Sequence, residues 1–128
     1  MCYKTTNIEG MFMEIIKKEE AAQGTNNEIC STMEYSFKDK SMDVGIATIK
    51  GRYPESGFCV NLKSKELVYV IEGSGEIFFE NKRIDFKSGD AILIDVNEKY
   101  YWNSTYCKVS MTCTPAWTPE QYRNIEEM

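Results

Sequence analysis

The residue that matters most for chemistry here is one the chain lacks. Its 128 residues include no histidine. Histidine is the commonest general acid or base near neutral pH and the commonest metal ligand. Its absence removes Ser-His-Asp and Cys-His catalysis, imidazole zinc sites and the 2-His-1-carboxylate iron site. The nucleophiles that remain are five cysteines: Cys2, Cys30, Cys59, Cys107 and Cys113. With no imidazole near it, a thiol is activated only by a neighbouring Lys or Arg, and an inert buried thiol is the commoner outcome for Cys59. Two further stretches have a chemical texture. Gly73-Ser74-Gly75 lacks the lysine of a phosphate loop and sits between strand-like runs, so it reads as a turn. Arg52, in Arg52-Tyr53-Pro54, is a candidate for holding a ligand carboxylate or phosphate, with a solvated loop arginine as the alternative.

Aromatic side chains are dense: Tyr69, Tyr100, Tyr101, Trp102, Tyr106, Trp117 and Tyr122. Such walls suit sugars and planar ligands, and they also fill cores and subunit contacts. Strand alternation places Tyr100 and Trp102 on one face and Tyr101 on the other.

The elements that must position these groups read as strands. Candidates run over Ile29–Phe37, Asp43–Lys50, Phe58–Leu62, Glu66–Glu72, Glu76–Glu80, Ala91–Val96, Tyr100–Asn103 and Lys108–Thr114. In the last, Val109, Met111 and Cys113 share a face opposite Lys108, Ser110 and Thr112. Turn signals separate the runs at Pro54–Gly57, Gly73–Gly75, Asn81-Lys82 and Lys87–Asp90. Many short strands with regular turns indicate an all-β sandwich or barrel. Residues 1–10 read as a lead-in and 11–128 as one domain. Met11–Ile16 reads as a strand and Lys17–Ala22 as a short helix ending at Gly24, though the local signal does not separate the two states there. Residues 24–27 read as a loop. Near the other end, Thr118 as N-cap, Pro119 at the first helical position and Gln121 in a capping box predict a C-terminal helix to about Glu126.

The segment from Gly57 to Ser104 resembles the two motifs of the cupin superfamily. Glu66-Leu67-Val68-Tyr69-Val70-Ile71-Glu72-Gly73 resembles the second half of the first motif. Gly89-Asp90-Ala91-Ile92-Leu93-Ile94 is similar to the start of the second. The resemblance implies an antiparallel cupin, or jelly-roll, β-barrel. It places the family's ligand positions on Cys59, Asn61, Glu66 and Tyr100, with Val60 and Leu62 as the other allowed spacing for the first two, so three histidine positions hold other residues and Glu66 alone is retained. The chain is also similar to small single-domain bacterial cupins that share the Gly51–Pro54 stretch and the Pro115-Ala116-Trp117 tail. Cupins include isomerases, epimerases, lyases, dioxygenases and sugar sensors, so the fold does not select an activity.

On that basis the expected ligand lining is Cys59, Asn61, Glu66, Tyr100, Trp102, Arg52 and Met111. The expectation is a metal-independent small-molecule site, with a sugar or a carboxylate as ligand and no cofactor. A non-standard metal site at Cys59, Asn61, Glu66 and Tyr100 is the other reading of the same four. They mix soft and hard donors and offer a single sure anion. If the protein is an enzyme, acid/base isomerase, epimerase or lyase chemistry fits, with Glu66 as base and Tyr100 as acid. Pairing of Glu66 with Lys63, Lys65 or Arg52 at the barrel mouth would leave it no such role. A non-catalytic interaction module with a vestigial pocket is the third reading.

Bulk properties bound the partners. Fifteen basic against 20 acidic residues give a net charge of −5, and no Lys/Arg run exceeds two, which argues against nucleic acid. No apolar run approaches the roughly 18 residues of a membrane span. The odd cysteine number, the lack of a CxxC pair and the lack of a secretory leader pattern lead to free thiols and a cytoplasmic location, with a Cys107–Cys113 bridge as the alternative. A homodimer is implied by the family resemblance.

Overall fold

The computed structural model describes residues 13–25 and 28–126; the expected lead-in, residues 1–10, lies outside them. Within them nine strands form one antiparallel sheet that curls on itself. They are β1 (Ala22–Thr25), β2 (Cys30–Tyr35), β3 (Asp43–Tyr53), β4 (Phe58–Asn61), β5 (Lys65–Phe79), β6 (Lys82–Lys87), β7 (Ala91–Ile94), β8 (Tyr100–Thr114) and β9 (Tyr122–Ile125). The main path runs β1-β2-β3-β8-β4-β9, and β5 pairs with β6, β7 and β8.

Alternation decides which side chains enter the barrel. On β5, Glu66, Val68 and Val70 are buried, while Leu67, Tyr69 and Ile71 face out. On β8, Tyr100, Trp102, Val109 and Cys113 are buried with Ile49 of β3 and Ile77 of β5. Short 3-10 turns at Lys18–Glu20 and Pro119–Gln121 are the helical segments among the described residues.

Two expected breaks are absent. Residues 65–79 form a single strand that passes through Gly73-Ser74-Gly75, and residues 100–114 form another. The glycines serve close approach instead of reversal. Gly73 has φ +83, and a Cβ there would run into the Tyr106 carbonyl oxygen; one at Gly75 would lie 2.7 Å from Ser104 Cβ. Register shifts between Val70 and Glu72 and between Ser74 and Glu76 bend the β5–β8 ribbon at this point. The reversal comes later, at Glu80 and Asn81 (φ 42 and 61), a two-residue hairpin loop leading into β6.

Both ends of the described chain add strands, one where a loop was expected and one where a helix was. Gly24 and Thr25 belong to β1, which pairs with β2, and the helical signal of Lys17–Ala22 shrinks to one 3-10 turn. The expected C-terminal helix is limited to Pro119–Gln121, and Thr118 makes no side-chain cap bond. Tyr122–Ile125 instead pairs with β4, from Asn61↔Tyr122 to Phe58↔Ile125. An isolated helix of two turns is marginal in water, whereas an open strand edge offers a full set of backbone partners.

Candidate functional site

Glu66 is the first inward residue of β5 and lies beside Cys113 of β8 and Ile94 of β7. It is 5% exposed. The Tyr100 hydroxyl donates to its Oε1 at 2.8 Å, and the Cys113 thiol donates to Oε2 at 3.8 Å. Tyr100 and Cys113 belong to the same strand, and flat geometry would put them roughly 40 Å apart. Both reach one carboxyl because β8 curls around the barrel. Burial raises the pKa of Glu66, against the opposing effect of the Tyr100 and Cys113 hydrogen bonds. Burial also raises Tyr100, and the neighbouring Cys59 and Glu66 add to this. Burial thus opposes ionisation of both groups.

In front of Tyr100 lies a pocket of about 180 Å³. Asn61, Trp102 and Met111 line it with Tyr100. Trp102 is held edge-on to Phe86 at 5.5 Å. The segment after β8 closes one side. Trp117 Nε1 donates to Asn61 Oδ1 at 2.9 Å, the Trp117 backbone N–H donates to Asp43 Oδ2 at 3.0 Å, and its ring meets Tyr122 edge-on. This strap is anchored by Gln121, whose Oε1 accepts the Lys63 and Ser64 backbone N–H groups and whose Nε2 donates to Ser64 Oγ.

No protein-family model matches the sequence, and no curated protein matches it. Solved structures do. Pac13 from Streptomyces, with uridine, is similar at 18% identity and TM-score 0.78 over 89% of this chain and 92% of that one. Another Pac13 structure is described as that of a unique nucleoside dehydratase. Ectoine synthase from P. lautus is similar at 19% identity and TM-score 0.66, over 88% of this chain and 90% of that one. EutQ from Salmonella typhimurium, an ethanolamine utilization protein, is similar at 18% identity and TM-score 0.58, over 69% of this chain and 71% of that one. The architecture common to these neighbours and the curled sheet agree. This chain has the cupin fold. At such identities the likeness extends to the fold alone.

The cupin barrel brings the four family ligand positions close together but does not make them a donor set. Asn61 Oδ1 is engaged by Trp117, the Tyr100 hydroxyl by Glu66, and the Cys59 thiol by the Tyr100 carbonyl oxygen at 3.4 Å. Burial pushes the Cys59 thiol up to about 12, so it is neither a ready ligand nor a ready nucleophile. Among the described residues no three His, Cys, Asp or Glu side chains cluster as metal ligands do. These donors do not fit a transition metal, which wants free imidazole or thiolate.

Arg52 lies outside the pocket. Its guanidinium donates to the Pro54 and Gly57 carbonyls at 2.7 and 3.0 Å and covers the Tyr101 ring at 3.7 Å. Tyr101 in turn stacks on Phe78 at 4.6 Å. Arg52 therefore clamps the β3–β4 turn and does not line the cavity. Cys59 and Glu66 stand behind the wall that Tyr100 presents, and neither lines the cavity. Glu66 also makes no ion pair with Lys63, Lys65 or Arg52; Lys65 faces Asp95. Sequence reasoning missed Glu34, Asp43, Tyr53, Cys113, Trp117 and Tyr122 as pocket residues. The available signals were the family-like Pro115-Ala116-Trp117 tail and the aromatic density that includes Trp117 and Tyr122. Nothing local marks Asp43, which enters the site because β3 pairs with β8 at Asp43↔Cys113. Cys107 and Cys113 are both free thiols.

Proposed function

We propose that this cupin binds a small organic molecule, without a metal, in the pocket between Tyr100, Asn61 and Trp117. The pocket itself carries the reading: it combines aromatic walls with a few convergent polar groups, as ligand sites do. At about 180 Å³ it is smaller than the ~300 Å³ and upward of drug-sized sites and suits a ligand of about one ring. Among the described residues the lining contains no Lys or Arg, which favours the sugar over the carboxylate among the expected ligands. The neighbour that holds uridine supports small-molecule binding by a barrel of this shape. A screen of polar metabolites, read by thermal shift on chelator-treated protein, tests this. At least one compound raises the melting temperature equally with and without added divalent metal. Binding seen only with metal added overturns the metal-independent reading.

The hydrogen bond between Tyr100 and Glu66 favours a second, catalytic reading as an isomerase, epimerase or lyase. Tyr100 faces the ligand, and Glu66 takes or returns the proton through it. Once an active compound is in hand, Tyr100→Phe and Glu66→Gln each reduce turnover by at least ~100-fold; unchanged turnover in either sinks the assignment. A vestigial pocket on an interaction module would be filled with side chains, and this one is open.

The free buried thiols support a reducing, cytoplasmic setting. No helix among the described residues is long and apolar enough to cross a membrane. A second copy is the partner that fits the outward face of β5 and β7. Leu67, Tyr69, Ile71 and Leu93 are 42–63% exposed there, with Leu67 directly beside Leu93. The adjoining β8 positions are the uncharged Ser110 and Thr112, so two chains of net charge −5 approach without like-charge repulsion on this face. Light scattering gives twice the chain mass for the native protein and the chain mass for Leu93→Lys. A monomeric native protein overturns the dimer.

A further inference from the structure

The charge pattern of the pocket carries a statement about its occupant, and it rests on the small-molecule reading above. Asp43, Cys113 and Glu66 stand side by side on β3, β8 and β5. Glu34 borders the same cavity from β2. Cys113 lies within the field of all three carboxylates. Among the described residues neither of the two carboxylates that line the cavity, Asp43 and Glu34, is ion-paired. The ion pairs are Lys65–Asp95, Arg83 with Glu76 and Asp85, and Lys87–Asp90, all away from the pocket. Lys40 is the one cation acting on Asp43, and its influence is the smallest of those on that carboxyl. The faces of Tyr53, Trp117 and Tyr122 border the same space.

We propose that the pocket selects a positively charged ligand, a small organic amine seated between Asp43, Glu34 and the Trp117 ring. A half-buried carboxylate beside another carboxylate is destabilised by lost hydration and by repulsion, and a cation relieves both. The aromatic faces add cation–π attraction for the same charge. An anion meets repulsion and finds no cationic donor. A neutral polyol leaves the carboxylates uncompensated. Partial burial, with a smaller addition from the Glu34 charge, raises the Asp43 pKa against the lowering effect of the Trp117 and Cys113 backbone N–H groups.

Three probes of one shape test the charge directly: benzylammonium, benzyl alcohol and benzoate. The two tryptophans of the chain, Trp102 and Trp117, both line the pocket, so intrinsic fluorescence reports occupancy. Near neutral pH and at low salt, benzylammonium binds at least ~10-fold more tightly than benzyl alcohol, with benzoate weakest. The ammonium-to-alcohol affinity ratio falls toward one in Asp43→Asn. It falls part-way in Glu34→Gln, at an exposed position tolerant of change, and it shrinks in the native protein as salt is raised. Equal binding of the ammonium and the alcohol overturns the charge selection and leaves the small-molecule reading standing. So does a ratio indifferent to both variants and to salt, or benzoate binding as tightly as the amine. If none of the three alters the fluorescence up to about 10 mM, near the weak limit of useful affinity, the pocket reading and this one fall together.

Discussion

Tyr100 opens β8, Glu66 lies at the start of β5, and the hydroxyl of the first donates to the carboxyl of the second at 2.8 Å. The bond crosses the barrel interior, since the local ladder partner of Tyr100 on β5 is Phe79. It ties together strand ends that a flat sheet would hold far apart.

The pH dependence of stability follows from the raised Glu66 pKa. A carboxyl that binds its proton more tightly when folded gives its full contribution below the unfolded value, near 4.5, and loses it as pH rises through the folded value. Glu66→Gln cannot ionise. Its melting temperature relative to the native protein therefore climbs as pH is raised from 4 to 8. Thermal melts across that range check the sign; a flat or falling difference contradicts it.

Removing the hydroxyl in Tyr100→Phe leaves Glu66 Oε1 without its donor at a buried position. The expected loss is about 1–3 kcal/mol. Urea denaturation measures it. The same variant raises the Glu66 pKa further, so its stability falls more steeply with rising pH than that of the native protein.

Arg52 separates stability from binding. Arg52→Ala removes two charge-assisted bonds to carbonyls and the contact with Tyr101, a loss of about 1–3 kcal/mol. Lysine cannot reproduce the fork geometry, so Arg52→Lys recovers little of it. Affinity for any pocket ligand stays within twofold in both. A large change in affinity with intact stability would return Arg52 to the site.

Gln121 holds the strap that carries Trp117 and Tyr122. It is 3% exposed, and Gln121→Ala orphans the Lys63 and Ser64 backbone N–H groups. A destabilisation of about 2–4 kcal/mol is expected, with increased quenching of tryptophan fluorescence by acrylamide as the pocket wall loosens. Unaltered quenching would show that the strap is held by β9 pairing alone.

Cys30, Cys59, Cys107 and Cys113 are buried, and burial raises the pKa of Cys59, Cys107 and Cys113. In a Cys2→Ser background these four react with a thiol reagent at the rate of global unfolding. Fast labelling of any of them in the folded state contradicts the assignment of inert thiols.

Much of the barrel was legible in the sequence because inward and outward positions alternate along each strand. That pattern placed Tyr100 and Trp102 on one face, and Val109, Met111 and Cys113 on another inward run. The cupin-like motifs led to Glu66, which the structure buries against Tyr100. The resemblance also put Cys59 and Asn61 beside this pair, where the structure finds them, although Cys59 faces the Tyr100 backbone and not the cavity.

What the chain alone determined was strand content, facing and the absence of imidazole chemistry, since composition and alternation are local. Tertiary structure decided the rest. Gly73 and Gly75 carry turn-like residue types, and only the close approach of Tyr106 and Ser104 shows that they bend a continuous strand. The segment after Thr118 has helical cap signals, and the free edge of β4 outweighs them. Asp43 and Glu34 are ordinary strand-end acids in sequence. They become one wall of a pocket because the β2–β3–β8 register and the curl of β8 bring residues distant in the chain to the same cavity. Those terms depend on hydrogen bonding and packing between distant segments, which no local pattern encodes.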